Sequence, residues 1–509
     1  MRESDPKLQL DLDRLVWSES LVPESHMLHV GEFHALHFAD KLRLINPYGR
    51  LGILTLWSQT DFIEDKLREI GVDLNPATSK IAVIGNLYGN GIPHLLRNLL
   101  YNPQIRDLIV CGANRSGSQE ELIAFFENGL EETTSLGETV TRIKGTAKII
   151  DSLVQPSCFA ERPRLVSVGD LRDGDSRDKM RKAIEDLCLG EPLSCQRIEV
   201  TLPEVKVSHY PSEVRSHVVT RDTPLEAWRE LVFRLHRFGH IAHLPKGDRQ
   251  ELQNVKVVIC HPREDDAADL AAFGFVRKDL RQYQKDMLAP ERPADQSYTY
   301  GNRMRSYYGQ DLLALFAKKL KRNPEDRDCL LSLWDSHHDA TAEHAPCLCT
   351  LFFRTYDEAL TLTATYRAHN ALDAWLKNIY GLMKAQSIVA SKASLPVGAI
   401  TVISHSISID PSKYDLAERV AKAKGFTVDI DHNGQFMVSV DRGASEVVVQ
   451  HLSDEGLLLH EYRSKHAERI QHELARDCAI SDINHAIYLG RQLAKAEACL
   501  ATGEAFEEG

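Results

Sequence analysis

APCLCTLFFRTYDEALTLTATYRAHNALDAWLKNIYGL, residues 345–382, decides the fold of the middle of this chain. Cys347 follows a proline and begins an apolar run, LCTLFF, which predicts a strand with the thiol at its end, where loops can shape a pocket. A second strand-like run, LTLTATYR, ends at Arg367, twenty residues after the cysteine. Residues 206–424 alternate irregularly between helical and strand patterns, which is typical of an α+β domain, and a helix is predicted to begin near Pro224.

Residues 46–205 follow a more regular pattern. Short aliphatic runs there are each followed by a helix-like segment, and these runs are LGILTLWS (51–58), KIAVIG (80–85) and DLIVCG (107–112). Three strand–turn–helix units predict an α/β domain with a doubly wound parallel sheet. The closing strands are predicted to be RLVSVGDL (164–171) and RIEVTL (197–202). The Gly-rich turns at 85–91 and 112–117 lead into helices, and either anion binding or a purely structural role stays open for them.

The two ends of the chain complete a multidomain α/β and α+β architecture. Residues 1–45 are predicted to be an N-terminal extension, and residues 425–509 a small α+β domain. In the latter, two alternating stretches flank Asn433–Gly434, a strong hairpin signal, and further strands follow. The last helix is amphipathic, and His485 near its start is predicted to be a capping or packing residue rather than a catalyst.

Composition excludes several classes of protein. With 43% hydrophobic and 26% charged residues among 509, the chain is globular rather than disordered, collagen-like or coiled coil. Lys plus Arg number 61 against 73 Asp plus Glu, so the net charge of -12 argues against a nucleic-acid partner. We expect no membrane partner and a cytoplasmic location, because no apolar run is long enough to cross a bilayer and no signal peptide is recognisable. Ten dispersed cysteines suit a reducing compartment.

Five separated motifs carry a resemblance to a known family. They are YTYGNRMR (298–305), NPEDRDCLLSLWD (323–335), APCLC (345–349), TYRAHNALDAWLKNIYGL (365–382) and GAITVISHSISID (398–410). In this order and spacing they resemble the thymidylate synthase family, with wording closest to its archaeal type, over residues from about 227 to 424. The resemblance implies a homodimer, a pyrimidine nucleotide as substrate, and methylenetetrahydrofolate or a related reduced pterin as one-carbon donor.

The resemblance assigns a role to each matching residue. Cys347 is the nucleophile, since a thiolate can add to C6 of uracil and make C5 able to attack a one-carbon donor. Arg367 binds phosphate and lowers the thiol pKa, and Arg327 reaches the same phosphate from the second subunit. Asn378 reads the uracil edge, and Tyr300 helps to remove the C5 proton. The alternatives are a packed cysteine, surface arginines and a core aromatic residue.

Several positions depart from the family pattern. Asn370 replaces the aspartate that contacts the pterin ring, and Ser408 and Asp410 stand where the family binds the 3'-hydroxyl of the sugar. Ala368 replaces a serine beside the phosphate arginine, and Asp328 replaces a second arginine. The family's proton-relay glutamate has no clear counterpart. The acidic residues in its general region are Glu264, Asp265, Asp279 and Asp286.

The flanking domains resemble other proteins. Residues from about 52 to 146 resemble the A subunit of tetrahydromethanopterin S-methyltransferase, a corrinoid-binding protein. Ser118 stands where that family has its cobalt-binding histidine, and His94 is not at the ligand position, so corrinoid binding is not expected. Cys347 and Cys349 have no second Cys or His pair at ligand spacing, so no metal site is predicted either. The last helix resembles an uncharacterised domain found on thymidylate synthase-like chains.

Two functions follow from these motifs. The first is an enzyme that transfers a one-carbon unit to C5 of a pyrimidine nucleotide, either dUMP to dTMP or a variant that stops at hydroxymethylation. The second is a binding or regulatory protein on the same fold that has lost turnover, which the changes at Asp328, Asn370, Ser408 and Asp410 motivate.

Overall fold

The computed structural model describes residues 31–187, 196–203, 207, 209–244, 247–294, 296–342, 344–425 and 431–509. The described chain is a mixed α/β protein with several sheets. It divides into two compact units, Met1–Lys424 and Gly425–Gly509.

The helices and strands are numbered in chain order. The strands are β1 (Arg43–Leu44), β2 (Leu51–Leu54), β3 (Ile81–Gly85), β4 (Asp107–Cys111), β5 (Leu130–Ser135), β6 (Glu138–Ile143), β7 (Arg164–Gly169), β8 (Val218–Arg221), β9 (His240–Ala242), β10 (Arg249–Ile259), β11 (Leu330–Ser332), β12 (Leu348–Tyr356), β13 (Ala359–Tyr366), β14 (His369–Asn370), β15 (Val397–Ile409), β16 (Gln435–Asp441), β17 (Glu446–Leu452) and β18 (Leu458–Ser464). The helices are α1 (Thr60–Glu69), α2 (Gly91–Tyr101), α3 (Ser118–Asn128), α4 (Gly174–Glu185), α5 (Pro224–Phe238), α6 (Ala267–Ala272), α7 (Arg277–Met287), α8 (Tyr300–Arg305), α9 (Leu312–Arg322), α10 (Ser336–Asp339), α11 (Trp375–Ala393), α12 (Tyr414–Lys422), α13 (Ala467–Arg476) and α14 (Ile483–Thr502).

The first sheet has the strand order β1-β3-β2-β4-β7. Strands β3, β2, β4 and β7 are parallel, and β1 joins the edge antiparallel to β3. Alternate strand residues face opposite sides, so Ile53 and Ile109 contact α1 and α4 while Leu54 and Val110 contact α2 and α3. This is a doubly wound sheet, and its strand order reverses between β2 and β4.

Residues 197–202, predicted to be a strand, do not pair with a sheet. The Arg197 guanidinium donates to the carbonyl of Tyr101 at 2.9 Å and lies over the Tyr101 ring at 5.0 Å. The Ile198 N–H donates to the carbonyl of Leu100 at 3.1 Å. The alternating pattern predicts a strand, but these residues satisfy the last carbonyls of α2 instead.

A β5–β6 hairpin joins the first sheet to the central region. Its two-residue turn, Leu136–Gly137, has positive φ at both positions (53° and 86°), as a type I′ turn requires. Leu136 packs against the central apolar core, and Glu138 pairs with Lys422 at 2.8 Å. The two regions therefore belong to one compact unit.

The central sheet has the path β11-β12-β13-β15-β10-β8, with β14 paired to β15 and β9 to β10. Strand β13 shows the alternation of a sheet covered on one face: its leucines at 360 and 362 are buried, whereas its threonines are half-exposed. Helix α5 begins at Pro224 as predicted, because Thr223 and Glu226 form a capping box. Its Trp228 is fully buried in the core that α5, α7, α9 and α11 form against the sheet.

The second unit is an antiparallel sheet, β16-β17-β18, packed against α13 and α14. The predicted hairpin at Asn433–Gly434 has its first strand outside the described residues. Among those that are described, β16 turns instead into β17 through residues 442–445, where the Asp441 carboxylate accepts from the N–H of Gly443 at 3.0 Å. No helix in the described parts of either unit is both long enough and apolar enough to traverse a bilayer.

Candidate active site

Cys347 and Arg367 lie together at the ends of two neighbouring strands. Cys347 immediately precedes β12 and is half-buried, and Arg367 immediately follows β13. The Arg367 N–H donates to the Cys347 carbonyl at 2.9 Å, which holds the two strand ends together. The Cys349 thiol also donates to that carbonyl, at 3.5 Å. The predicted position of the thiol at a strand end is therefore present in the structure.

The Arg367 side chain holds the loop that carries the thiol. Its Nε donates to the Pro346 carbonyl and its Nη2 to the Ala345 carbonyl, both at 2.9 Å. The guanidinium also lies 5.8 Å from the centre of the Trp334 ring. Because the residue is exposed and Nη1 has no hydrogen bond to the described residues, part of the guanidinium can still bind an anion.

Four tyrosines lie within electrostatic range of the thiol. Tyr283 comes from α7, Tyr298 precedes α8, Tyr300 opens α8, and Tyr366 ends β13. Burial is the main cause that raises the pKa of each, to about 12 for Tyr298, and the nearby Cys347 thiol raises each further. The phenols are therefore neutral at physiological pH and can donate hydrogen bonds, which suits a ligand with carbonyl oxygens.

Asn378 is held by a buried hydrogen-bond network. The Tyr283 hydroxyl donates to its Oδ1 at 2.5 Å, and its Nδ2 lies 2.9 Å from Nε2 of His369. Nδ1 of His369 lies 3.1 Å from the Ser404 hydroxyl. Burial lowers the pKa of His369 to about 3, so the imidazole is neutral and offers one donor and one acceptor. The carboxamide of Asn378 keeps one N–H and one lone pair for a ligand.

A buried ion pair fixes the helix that carries Tyr300. Nη2 of Arg303 lies 2.6 Å from Oδ1 of Asp339, and the two side chains are only 2% and 1% exposed. Oδ2 of Asp339 accepts from the N–H of Asp335 at 2.8 Å. The pair thereby ties α8 to α10, just before the loop that leads to Cys347.

Two residues predicted to bind substrate, Asn370 and Asp410, use their side-chain polar atoms within the chain, whereas Ser408 uses its backbone. Oδ1 of Asn370 accepts from the N–H groups of Leu372 and Asp373, at 3.0 and 2.8 Å. Asp410 pairs with Arg249 at 3.0 Å and caps the turn that follows it. The carbonyl of Ser408 accepts from the N–H of Ala371, and its hydroxyl has no hydrogen bond to the described residues. Nδ2 of Asn370 also donates to Oδ2 of Asp373 at 3.2 Å. The predicted role of Asn370 in substrate binding stays a prediction.

The side chains of Arg327 and of the acidic candidates make no hydrogen bond to the described residues of the thiol site. Arg327 and Asp328 are exposed on the loop between α9 and β11. Among the acidic candidates, Glu264 pairs with Arg281 at 2.6 Å, and Asp265 accepts from the buried Tyr380 hydroxyl at 2.9 Å. The two others, Asp279 and Asp286, are exposed on α7.

The Gly-rich turns of the first sheet serve the packing of neighbouring loops. Gly112 has φ +89°, and a Cβ there would overlap the carbonyl oxygen of Thr55, which follows β2. In the other turn, Nδ2 of Asn90 donates to the Ser412 hydroxyl at 2.8 Å. These contacts favour the structural role that the sequence left open. The resemblance of this region to a methyltransferase subunit stays a prediction.

The second unit has its own polar cluster. Oδ1 of Asp431 accepts from the N–H and hydroxyl of Ser481, at 3.0 and 2.5 Å, and Oδ2 lies 2.8 Å from Nδ1 of His485. The His485 ring meets the Phe436 ring edge-on at 5.3 Å. His485 is thus a packing residue with a fixed carboxylate partner. No group of three His, Cys, Asp or Glu side chains suited to a metal ion occurs in the described residues.

Four residues of the thiol site were not predicted from the sequence: Tyr283, Tyr298, Tyr366 and His369. The paired tyrosines of YTYG were one available signal, since both line the same site. Nothing in the local sequence predicts the bond between Tyr283 and Asn378, because 95 positions separate these residues.

Over about two-fifths of its length, the chain is similar to proteins named putative thymidylate synthase. It is 28% identical over 207 residues to a "putative thymidylate synthase" of Methanosarcina barkeri, covering 40% of this chain and 94% of that protein. It is 29% identical over 199 residues to the protein of that name from Methanosarcina mazei, covering 39% and 91%. It is 28% identical over 211 residues to the one from Methanothermobacter thermautotrophicus, covering 39% and 95%. A family model described as PterinBD-DUF4346 matches residues 430–509.

Proposed function

We propose that this protein transfers a one-carbon unit to C5 of a pyrimidine nucleotide, converting dUMP to dTMP or to the 5-hydroxymethyl product. The observation that carries the proposal is the half-buried Cys347, whose loop is held by the guanidinium of Arg367, together with the carboxamide of Asn378 that the neutral phenol of Tyr283 fixes. The similarity to thymidylate synthase-like proteins supports the class of reaction. We include a reduced pterin as donor, because a pterin-binding family model matches the second unit.

The chain's own residues account for activation of the base. The Cys347 sulfur adds to C6, and the electron pair of the C5=C6 bond moves to C5, whose charge is delocalised onto the C4 carbonyl. Asn378 donates to that carbonyl and accepts from N3–H, and Arg367 binds the phosphate. When C5 has gained its new substituent, it loses its proton, with Tyr300 as a relay, and the sulfur leaves C6. A reduced pterin would supply the carbon and, for dTMP, the hydride that reduces it to a methyl group, whereas water would supply the hydroxyl of the hydroxymethyl product. No step is assigned to the residues that would contact the pterin.

Two further features belong to the proposal. A homodimer would let Arg327 reach the phosphate of the partner's site, which accords with its exposed loop. The half-exposed threonine face of β13, opposite the apolar core, is a suitable surface for such pairing. Sedimentation at micromolar concentration tests this: a monomer would remove Arg327 from the site.

Release of tritium from [5-³H]dUMP tests the chemistry without a donor. Addition of the thiolate to C6 makes C5 basic, so C5 takes a proton from water and exchanges its tritium before the sulfur leaves. We expect release by the wild type and none by Cys347→Ser, with Cys349→Ser as the matched control that retains it. Formaldehyde plus tetrahydrofolate, followed by product mass, distinguishes a methyl from a hydroxymethyl product. A Cys347→Ser variant as active as the wild type would refute the mechanism.

The second candidate is a nucleotide-binding or regulatory protein without turnover. The observation in its favour is that Asn370 and Asp410 already use their polar atoms within the chain. This candidate requires dUMP binding by calorimetry, equal in the wild type and Cys347→Ser, together with no tritium release. Any thiol-dependent exchange at C5 rejects it.

A further inference from the structure

The hydroxyl of Tyr366 is buried without a hydrogen-bond partner in the described part of the chain. The residue is 0% exposed, and its hydroxyl makes no hydrogen bond there. Buried polar groups are nearly always paired, because leaving one unpaired sacrifices its hydrogen bonds to water. An unpaired hydroxyl at a candidate binding site can therefore gain a hydrogen-bond partner from a ligand.

The ring of Tyr366 is fixed in place. It stacks on the His369 ring with centroids 4.0 Å apart and planes 17° from parallel. His369 is itself held by Ser404 and Asn378 through its two ring nitrogens. The hydroxyl of Tyr366 consequently has one position and cannot turn to find a partner elsewhere.

The surroundings of this hydroxyl are those of the thiol. The Tyr283 hydroxyl, the Cys347 thiol and the Cys349 thiol all act electrostatically on Tyr366. The Tyr283 hydroxyl already donates its proton to Asn378, so it cannot donate a hydrogen bond to Tyr366 as well. Tyr366 also pairs across the sheet with Leu348, the residue that follows Cys347. The unpaired hydroxyl therefore belongs to the same end of the sheet as the sulfur that is proposed to add to the base.

We propose that Tyr366 is a substrate-binding residue whose hydroxyl donates a hydrogen bond to a carbonyl oxygen of the six-membered ring held next to Cys347. The proposal rests on the proposed function and extends it to a residue that the family motifs did not assign. A neutral phenol is a good donor to a carbonyl oxygen, and a uracil ring has two of these. The same stack also explains the role of His369, which positions both Tyr366 and Asn378 toward one ligand.

The test compares Tyr366→Phe with Tyr380→Phe. Tyr380 is equally buried, but its hydroxyl accepts from the N–H of Asp265 and donates to Oδ2 of Asp265, both at 2.9 Å. We expect Tyr366→Phe to keep or raise the melting temperature of the free protein, because the lost hydroxyl has no partner there. Tyr380→Phe should lower it. In calorimetric titrations with dUMP, Tyr366→Phe should bind about 5- to 10-fold more weakly, whereas Tyr380→Phe should bind like the wild type.

The outcomes separate this inference from the proposed function. If the wild type binds dUMP and Tyr366→Phe binds it within twofold of the wild type, the inference is overturned and the proposed function stands. A melting temperature for Tyr366→Phe that falls as far as that of Tyr380→Phe also overturns it, since the hydroxyl would then have a partner within the chain. A wild type that binds no dUMP overturns both.

Discussion

Replacement of Asp339 by Asn tests how far the thiol site depends on one buried ion pair. The substitution keeps the shape of the side chain but removes its charge, which leaves Arg303 charged at 2% exposure. The two carboxylate oxygens serve Arg303 and the N–H of Asp335, whereas an amide has one acceptor oxygen and must abandon one of them.

The expected loss in free energy of unfolding follows from the partners that Asp339→Asn loses and keeps. Removing one partner of a buried ion pair costs about 3–5 kcal/mol, and the one hydrogen bond that the amide keeps returns about 1 kcal/mol. We therefore expect Asp339→Asn to lower the free energy of unfolding of the first unit by about 3 kcal/mol. The loss should change little with salt, because buried pairs are weakly screened. Tritium release should fall as well, since Tyr300 and Arg303 share α8.

Urea unfolding followed by tryptophan fluorescence is the assay. All five tryptophans of the chain precede residue 425, so the signal reports the first unit alone. The matched control is Asp65→Asn, which removes the exposed pair with Arg68 and should cost no more than about 0.5 kcal/mol. Replacing Arg303 and Asp339 together by Met and Leu should restore most of the stability. A loss below about 1 kcal/mol for Asp339→Asn would refute the reasoning.

Other substitutions give independent tests. His369→Phe should weaken dUMP binding about tenfold in calorimetry, because Asn378 loses a partner that orients its amide; unchanged binding would contradict this. Burial raises the pKa of Asp431, but hydrogen bonds from Ser481 outweigh this effect and lower the pKa to about 2. This carboxylate therefore stabilises the second unit above about pH 4 and loses that effect as pH falls toward 2. Asp431→Asn should abolish this pH dependence of stability, measured by hydrogen exchange of β17. Gly112→Ala should destabilise the first unit by about 1 kcal/mol or more in the fluorescence assay, and no loss would count against the strain.

Local chemistry made part of the fold predictable. The start of α5 followed from Thr223, Pro224 and Glu226, because a capping box acts over four adjacent residues. The parallel strands followed from short aliphatic runs that are buried on both faces. The strand predicted at residues 197–202 was wrong because alternation does not say whether a segment will find a strand or a helix end to bond.

The residues of the candidate site divide in the same way into those that local sequence predicts and those that only the tertiary structure places. Cys347 could be placed at a strand end from the proline before it and the apolar run after it, which are local signals. The bonds that join His369 to Asn378 and Ser404 could not, because tertiary folding brings three separate elements together. Asp410 looked available in sequence, and only the structure shows its pairing with Arg249 on another strand. Contacts between neighbours along the chain could thus be predicted from the sequence, whereas contacts between distant residues could not.

The small β5–β6 hairpin has a practical consequence for anyone shortening this protein. An expression product starting near residue 206 would lack Leu136, which covers part of the central core, and would leave Lys422 without Glu138. Such a fragment would expose apolar surface and should aggregate during purification. The thiol-bearing region should therefore be expressed together with the N-terminal region that contains the first sheet and the β5–β6 hairpin.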